Sequence, residues 1–327
     1  MLQIHRNICN GIGRSIRVHQ RRLGSSNTPE AEVFAVGRLA ERSHTRYKSG
    51  QIFLHRVFAY RGVIVCSFDC KVYGRKDNQF DVTPYYQVLV HRGDWSQMRF
   101  SHDMTTYISD SANRDGSKPL SVIHGMDCVP HSDIYPLSIL SPTGEFKPPI
   151  EHDLFKRLFQ LVDETRPELG YNLIPDLAHH RIWLAPQSTH IETTDTIRVM
   201  ITTYYLGQTS TSNGHGKHFW RYVVRMENLD DRNVLLRERH IKVFSLNNLT
   251  QASGGGVVGE MPRLSRDHPV FQFSSVVDVS QKKGAHMWGK LKLERQDGTS
   301  FDVNLPTVLL ECNAELNSNQ ASENVIQ

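Results

Sequence analysis

Three glycines, Gly254-x-Gly256-x-x-Gly259, repeat the spacing that lets a backbone approach a dinucleotide pyrophosphate. That chemistry needs a strand before the glycines and a helix after them, because the helix N-terminus holds the phosphate. Here Glu260-Met261-Pro262 follow, and then another strand pattern. The glycines are therefore expected to let a loop turn sharply or pack closely, and no cofactor is expected. None of the 17 histidines shows metal-ligand spacing, so no metal is expected either. His55 and His131 lie on strand patterns and could converge, although a lone strand histidine is more often packed. His215 and His218 sit in a glycine-rich turn as an adventitious pair. The five cysteines (Cys9, Cys66, Cys70, Cys128, Cys312) are odd in number and scattered, which fits reduced thiols. Cys66 and Cys70 share one face of a strand, so packing explains them. The chain has no Gly-x-Ser-x-Gly elbow, Walker loop, HExxH or paired CxxC, and the expectation is a non-enzyme.

The residues better suited to gripping a partner are aromatic and basic. Arg237-Glu238-Arg239-His240 puts charges in a row, which reads as a solvated face with cross-strand ion pairs or as a recognition surface. Trp288 falls on the face opposite Met287 and Leu291, beside Lys290 and Lys292, where it could anchor a partner or be covered. Trp220 and Arg221, and in the first half Tyr60, Arg61 and His131, complete the partner-binding candidates.

What positions these residues is a run of strands. Trp220, Tyr222, Val224 and Met226 alternate with Arg221, Val223, Arg225 and Glu227. Phe271, Phe273, Val277 and Val279, and Met287, Gly289, Leu291 and Leu293, repeat the same period of two. Asp297-Gly298 predicts a type I′ hairpin turn. Six to eight strands between about Thr194 and Glu311 predict an immunoglobulin or fibronectin III-like sandwich.

Upstream, short strands at Gln51–Phe58, Gly62–Phe68, Tyr85–Val90 and around Val129–Ile134 predict a small SH3-like barrel over about 33–141. Lys76–Asp81 and Ser96–Pro119 read as loops. Gln51-x-x-Leu54-x-x-Val57-Phe58 approximates a short sliding-clamp-binding motif, but the segment is needed as a strand. Between the modules, at 142–193, Ile150, Leu154, Leu158, Leu161 and Val162 predict an amphipathic helix after Pro148-Pro149, packed between the modules. Residues 316–327 read as a disordered tail.

The charge is uneven. Of 38 basic and 34 acidic residues, five arginines (Arg6, Arg14, Arg17, Arg21, Arg22) precede the first carboxylate, Glu30. Subtracting them leaves 33 against 34, a net −1 for the remainder. A near-neutral body argues against strong non-specific binding to nucleic acid. With Ile4, Ile8, Ile12 and Ile16 on one helical stripe, residues 1–28 read as a mitochondrial presequence cleaved between about Leu23 and Thr28. The expected address is the matrix, and a nuclear copy would need escape from import. No apolar run approaches the ~20 residues that span a bilayer, so no membrane insertion is expected.

The residues also resemble known families. Gly50-Gln-Ile-Phe-Leu-His55, Tyr60-Arg-Gly-Val63, Tyr85-Tyr-Gln-Val88 and Val129-Pro-His131-Ser-Asp133-Ile134 resemble a YccV-type, hemimethylated DNA-binding-like module. Trp220-Arg-Tyr222, Glu227-Asn-Leu229, Leu236-Arg-Glu-Arg-His240, Gly254-Gly-Gly-Val-Val-Gly259, Phe271-Gln-Phe-Ser-Ser275 and His286-Met-Trp-Gly289, followed by Phe301-Asp-Val303, resemble an ApaG domain. The two in this order, with the connector between them, resemble the polymerase delta-interacting protein 2 family. The loops Lys76–Thr83 and Ser96–Pro119 depart from that pattern. The resemblance implies an adaptor that contacts the small subunit of DNA polymerase delta and its sliding clamp, or mitochondrial protease and nucleoid factors. Direct DNA binding through the first module is the alternative.

Overall fold

The computed structural model describes residues 15–20, 32–74, 79–98, 125–138, 150–166, 169–174, 186–209, 216–257 and 260–311. The fold is mainly β. Among the described residues no helix is long and apolar enough to cross a membrane. The chain divides into two compact units, Met1–Ser67 with Pro84–Gln97 and Gly125–Ala178, and Phe68–Thr83 with Met98–His124 and His179–Gln327.

The first unit is built from β1 (Ser15–Gln20), β2 (Glu32–Leu39), β3 (Ile52–His55), β4 (Arg61–Tyr73), β5 (Phe80–Val90), β6 (Met126–Pro130) and β7 (Ile134–Ser138). The ends of β4 and β5, within residues 68–83, count with the second unit. Pairing runs β1-β2-β7-β3-β4-β5-β6, and no pairing among the described residues closes that path into the expected barrel. Val63, Ile64, Val65 and Cys66 on β4, and the whole of Tyr85–Val90 on β5, are buried without alternation. Strands covered on both faces read as continuous apolar runs. β3 ends at His55 because the chain reverses through Ala59, at φ 56°, returning the Tyr60 carbonyl to the His55 N–H at 2.8 Å. Leu54 and Phe58 are buried in this turn, which removes the clamp-motif reading.

Two helical expectations fail. Ile16 and Arg17 lie in β1, paired antiparallel with β2, not on a helix; the rest of the presequence reading, with its cleavage site, lies outside the described residues. The amphipathic helix at Ile150–Val162 shrinks to one turn, α1 (Phe155–Leu158). It ends because Phe159–Leu161 (β8) leaves to pair with Tyr171–Leu173 (β9). Of the residues that suggested a stripe only Ile150 is buried; Leu154, Leu158 and Leu161 are half-buried and Val162 is exposed, and the buried places go instead to Phe155, Phe159 and Tyr171. This segment belongs to the first unit. Most of Ser96–Pro119, Cys9, Cys312, Gly259, His215 and the tail 316–327 lie outside the described residues.

The second unit holds the sandwich, and it starts earlier than alternation indicated. β10 (Ser188–Thr194) pairs with β11 (Ile197–Thr209) along its whole length. β12 (Lys217–Asn228) and β16 (Val270–Val279) complete the first sheet, in the order β10-β11-β12-β16. The second sheet is β14 (Asn248–Gly255), β13 (Val234–Ser245), β17 (Ala285–Arg295) and β18 (Ser300–Leu310), with the two-residue β15 (Arg263–Leu264) beside β13. Their inner faces share one core that includes Ile197, Ile201, Val224, Met226, Leu236, Met287, Leu291 and Val303. Each such side chain stabilises the fold by about 1.5–3 kcal/mol. The β17–β18 connection is a three-residue loop: Gly298 N–H bonds back to the Arg295 carbonyl at 3.0 Å, and only Gly298 has a positive φ, 84°. That is a type I turn closed by a left-handed glycine, not the expected type I′ pair.

Candidate interaction surface

In the first unit the candidate side chains are already occupied. Tyr60 is fully buried, and its hydroxyl donates to Asp127 Oδ2 at 2.7 Å. Arg61 grips Asp94 with Nε and Nη2, both at 2.9 Å, and its own backbone N–H donates to the same carboxylate. The Arg61 side chain is 13% exposed and that of Asp94 4%. Neither Tyr60 nor Arg61 is available to a partner, which corrects both candidates. Beside them burial, with Arg61, pushes His91 down to about 4; its Nδ1 accepts from the Glu151 N–H at 2.9 Å. His131 places Nε2 2.9 Å from the Ser43 carbonyl, which can only accept, so Nε2 carries the proton. Its Nδ1 then accepts from the Tyr86 hydroxyl at 2.8 Å, and its ring stacks on Tyr47 at 4.8 Å. His55 and His131 do not share a site. His55 is buried, with Nδ1 accepting from the Val57 and Phe58 N–H groups.

In the second unit Trp220 is also a correction. It is fully buried in the sandwich core, against Tyr205 at 5.0 Å, and cannot reach a partner. Arg221, next to it, points the other way and lays its guanidinium 5.2 Å from the centre of the Tyr204 ring.

The remaining candidates converge on the second sheet. On its outer face Glu238, His240 and Lys242 of β13 stand opposite Lys292, Lys290 and Trp288 of β17. Most of the charge is paired, Lys292 with Glu238 and Lys290 with Asp302, and His240 Nε2 lies 3.1 Å from Glu238 Oε2. Arg237 holds Glu294 through two bonds, at 2.7 and 2.8 Å, which lowers the Glu294 pKa. The ladder of ion pairs is the solvated face expected from the charge run. Trp288, opposite Lys242, is half-buried on this face, at the register shift between Met287 and Gly289. Gly289 is required there, because a Cβ would lie 2.0 Å from the His240 carbonyl oxygen.

Arg239 differs from its neighbours. A register shift between Leu236 and Glu238 turns it to the inner face, level with Leu291 and Gly254. Its Nη1 donates to the Gly256 carbonyl at 2.7 Å, and its charge opposes the rise that burial gives the Tyr222 hydroxyl. No described carboxylate pairs with it. The glycines separate as well. Gly256, at φ 61°, would place a Cβ 2.0 Å from the Glu260 carbonyl oxygen, so it serves a tight reversal. β15 follows, and no helix, which removes the pyrophosphate geometry. At Gly254 a Cβ would meet nothing within 4 Å.

One feature was missed in the sequence. The β13–β14 hairpin tip exposes Phe244, Leu246 and Leu249, at 40%, 60% and 44%. Leu246 adopts φ 56°, a left-handed position that glycine prefers, at a strain of about 1–3 kcal/mol. A leucine carries no turn signal of its own, and Asn247-Asn248 beside it was the residue-type signal that could have found the turn.

Comparison with known proteins bears on this surface. The ApaG domain family matches residues 208–295, which contain β12 to β17. Human polymerase delta-interacting protein 2 is 36% identical over 90% of this chain and 84% of its own length. The chain belongs to that family. The mouse protein matches with the same identity and coverage. Protein ApaG of Paramagnetospirillum magneticum is 32% identical over 37% of this chain and 91% of its own. Among solved structures, the putative ApaA protein from Bordetella pertussis covers 36% of this chain and 94% of its own, at 22% identity and TM-score 0.32. Neither the ApaG domain nor polymerase delta-interacting protein 2 is a known enzyme family.

Proposed function

We propose that this protein is a non-enzymatic adaptor whose sandwich docks protein partners. The observation that carries the reading is the 36% identity over 90% of the chain to a protein named for its interaction with polymerase delta. The second sheet supports it: its outer face presents half-buried Trp288 among charges, and its hairpin exposes three large apolar side chains. Aromatic anchors surrounded by polar groups are the usual anatomy of a binding surface. The partners proposed are the small subunit of DNA polymerase delta and its sliding clamp, or protease and nucleoid factors of the mitochondrial matrix, with residues 1–28 supplying the address. Immobilised full-length protein is expected to retain the purified small subunit, and Trp288→Ala to weaken that retention. Failure of the small subunit, the clamp and matrix extract alike to bind would refute the adaptor. A retarded DNA complex at physiological salt would favour the DNA-binding alternative. A fusion lacking residues 1–28 is expected to lose its mitochondrial signal, and an unchanged signal would refute that address.

A further inference from the structure

β14 is an open sheet edge whose residues suit an added strand. It pairs with β13 on one side, and no described strand pairs with the other. Its sequence, Asn-Leu-Thr-Gln-Ala-Ser-Gly-Gly, has no charge and no proline, and seven of its eight residues are exposed. Soluble proteins usually blunt such an edge with lysine, proline or a bulge. The two-residue turn makes Ser245 and Asn248 a hydrogen-bonded pair, and antiparallel pairs alternate. The N–H groups of Leu249, Gln251, Ser253 and Gly255 therefore point away from β13.

Gly254 adds an independent observation. Glycine weakens a strand interior and marks places where another backbone or ligand approaches closely. Gly256 and Gly289 are explained by collisions within the chain; Gly254 is not, since the space beside it is empty. Directly across the strand lies Arg239, turned inward and without a carboxylate partner among the described residues. Arg237, two residues away, has its carboxylate in Glu294. Five residues from Gly254, on the opposite face of β14, Leu249 stands exposed beside Phe244.

We infer that β14 receives an extended segment of a partner protein by strand addition, with an acidic side chain over Gly254 reaching Arg239. Five residues along, and on the other face, that segment carries an apolar side chain that packs on Leu249 and Phe244. Backbone pairing supplies the hold, and the two side chains supply the choice. A second copy of this chain fits less well, because its β14 has no carboxylate to offer Arg239. The inference rests on the protein-binding reading of the sandwich.

The probe is an acetylated, amidated octapeptide of threonine with Asp at its second place and Val at its seventh, made in both sequence directions. Titrated into the full-length protein, it is expected to bind about tenfold tighter than the same peptide with Lys for Asp, the effect of one partly desolvated ion pair. Ser253→Pro removes one outward N–H without touching the β13 ladder and is expected to abolish binding. Gly254→Asp gives Arg239 a carboxylate from within and is expected to fold normally and remove the preference for Asp. Equal affinity for both peptides, no affinity for either, or undiminished affinity in Ser253→Pro would overturn the inference. So would sedimentation showing a wild-type dimer that Ser253→Pro makes monomeric, since the second copy would then be the occupant. If Ser253→Pro and wild type capture the same proteins from matrix extract, the adaptor stands and the edge site falls. If neither captures any, the adaptor reading falls with it.

Discussion

The two units treat the same kinds of residue in opposite ways. In the first, tyrosine, arginine and histidine each have a partner within the unit: Tyr60 on Asp127, Arg61 on Asp94, His131 between Ser43 and Tyr86. In the second, Trp288, His240 and Lys242 remain on a sheet face, and Arg239 on the inner side has no carboxylate partner among the described residues. The difference teaches that residue type alone does not separate a structural role from a binding one. What separates them is whether a strand has one covered face or two. The sandwich strands have one, so alternation assigns each side chain. β4 and β5 have two, and alternation vanishes where Tyr60, Arg61 and Tyr86 lie.

The largest test of this contrast pairs two tryptophans. Trp220→Ala should remove about 3–5 kcal/mol by opening a cavity in the core. Trp288→Ala should shift the thermal midpoint only slightly while weakening partner retention. Equal losses of stability would erase the distinction. Next, Asp94→Asn should destabilise by about 3 kcal/mol, because it leaves the poorly exposed Arg61 guanidinium without its carboxylate. Glu294→Gln, on the exposed Arg237 pair, should leave the denaturant midpoint unchanged.

Acid should weaken both units. Burial pushes His91 in the first and His190 in the second down to about 4, from an ordinary value near ~6.5. Between those values the unfolded chain takes up protons that the folded chain refuses. Stability is therefore complete at pH 7 and falls as pH drops through that window, by about 2–3 kcal/mol for each histidine. Denaturant midpoints at pH 7 and pH 4.5 measure the loss, and His91→Gln and His190→Gln should each flatten it. The smallest contrast is between glycines. Gly256→Ala should cost about 2 kcal/mol through its left-handed φ and the Glu260 carbonyl, while Gly254→Ala should be neutral or slightly stabilising.

How much of this was legible follows from the same rule. Met287, Leu291 and Leu293, and Trp220 to Met226, declared the sandwich because each strand shows water one face. Trp220 suggests a partner anchor by its residue type, although its own alternation with Arg221 puts it inside. The stripe at Ile150–Val162 imitated a helix because apolar residues spaced by four also suit a turn followed by a short hairpin. Arg239 reads as one more solvated charge, since a one-residue register shift on β13 leaves no mark in the residue types. The exposed Leu246 of the hairpin tip escapes notice for another reason, since leucine is no turn former and only the neighbouring Asn247-Asn248 marks the reversal.

The central claim is that the sandwich, through its second sheet, is where a partner binds. Amide hydrogen exchange on the full-length protein, with and without the purified small subunit of DNA polymerase delta, tests it most directly. Slowed exchange is expected at Leu249, Gln251, Ser253 and Gly255, whose N–H groups face away from β13 and meet no described strand in the free protein. Slowing confined to the first unit, or none anywhere in the sandwich, would contradict it.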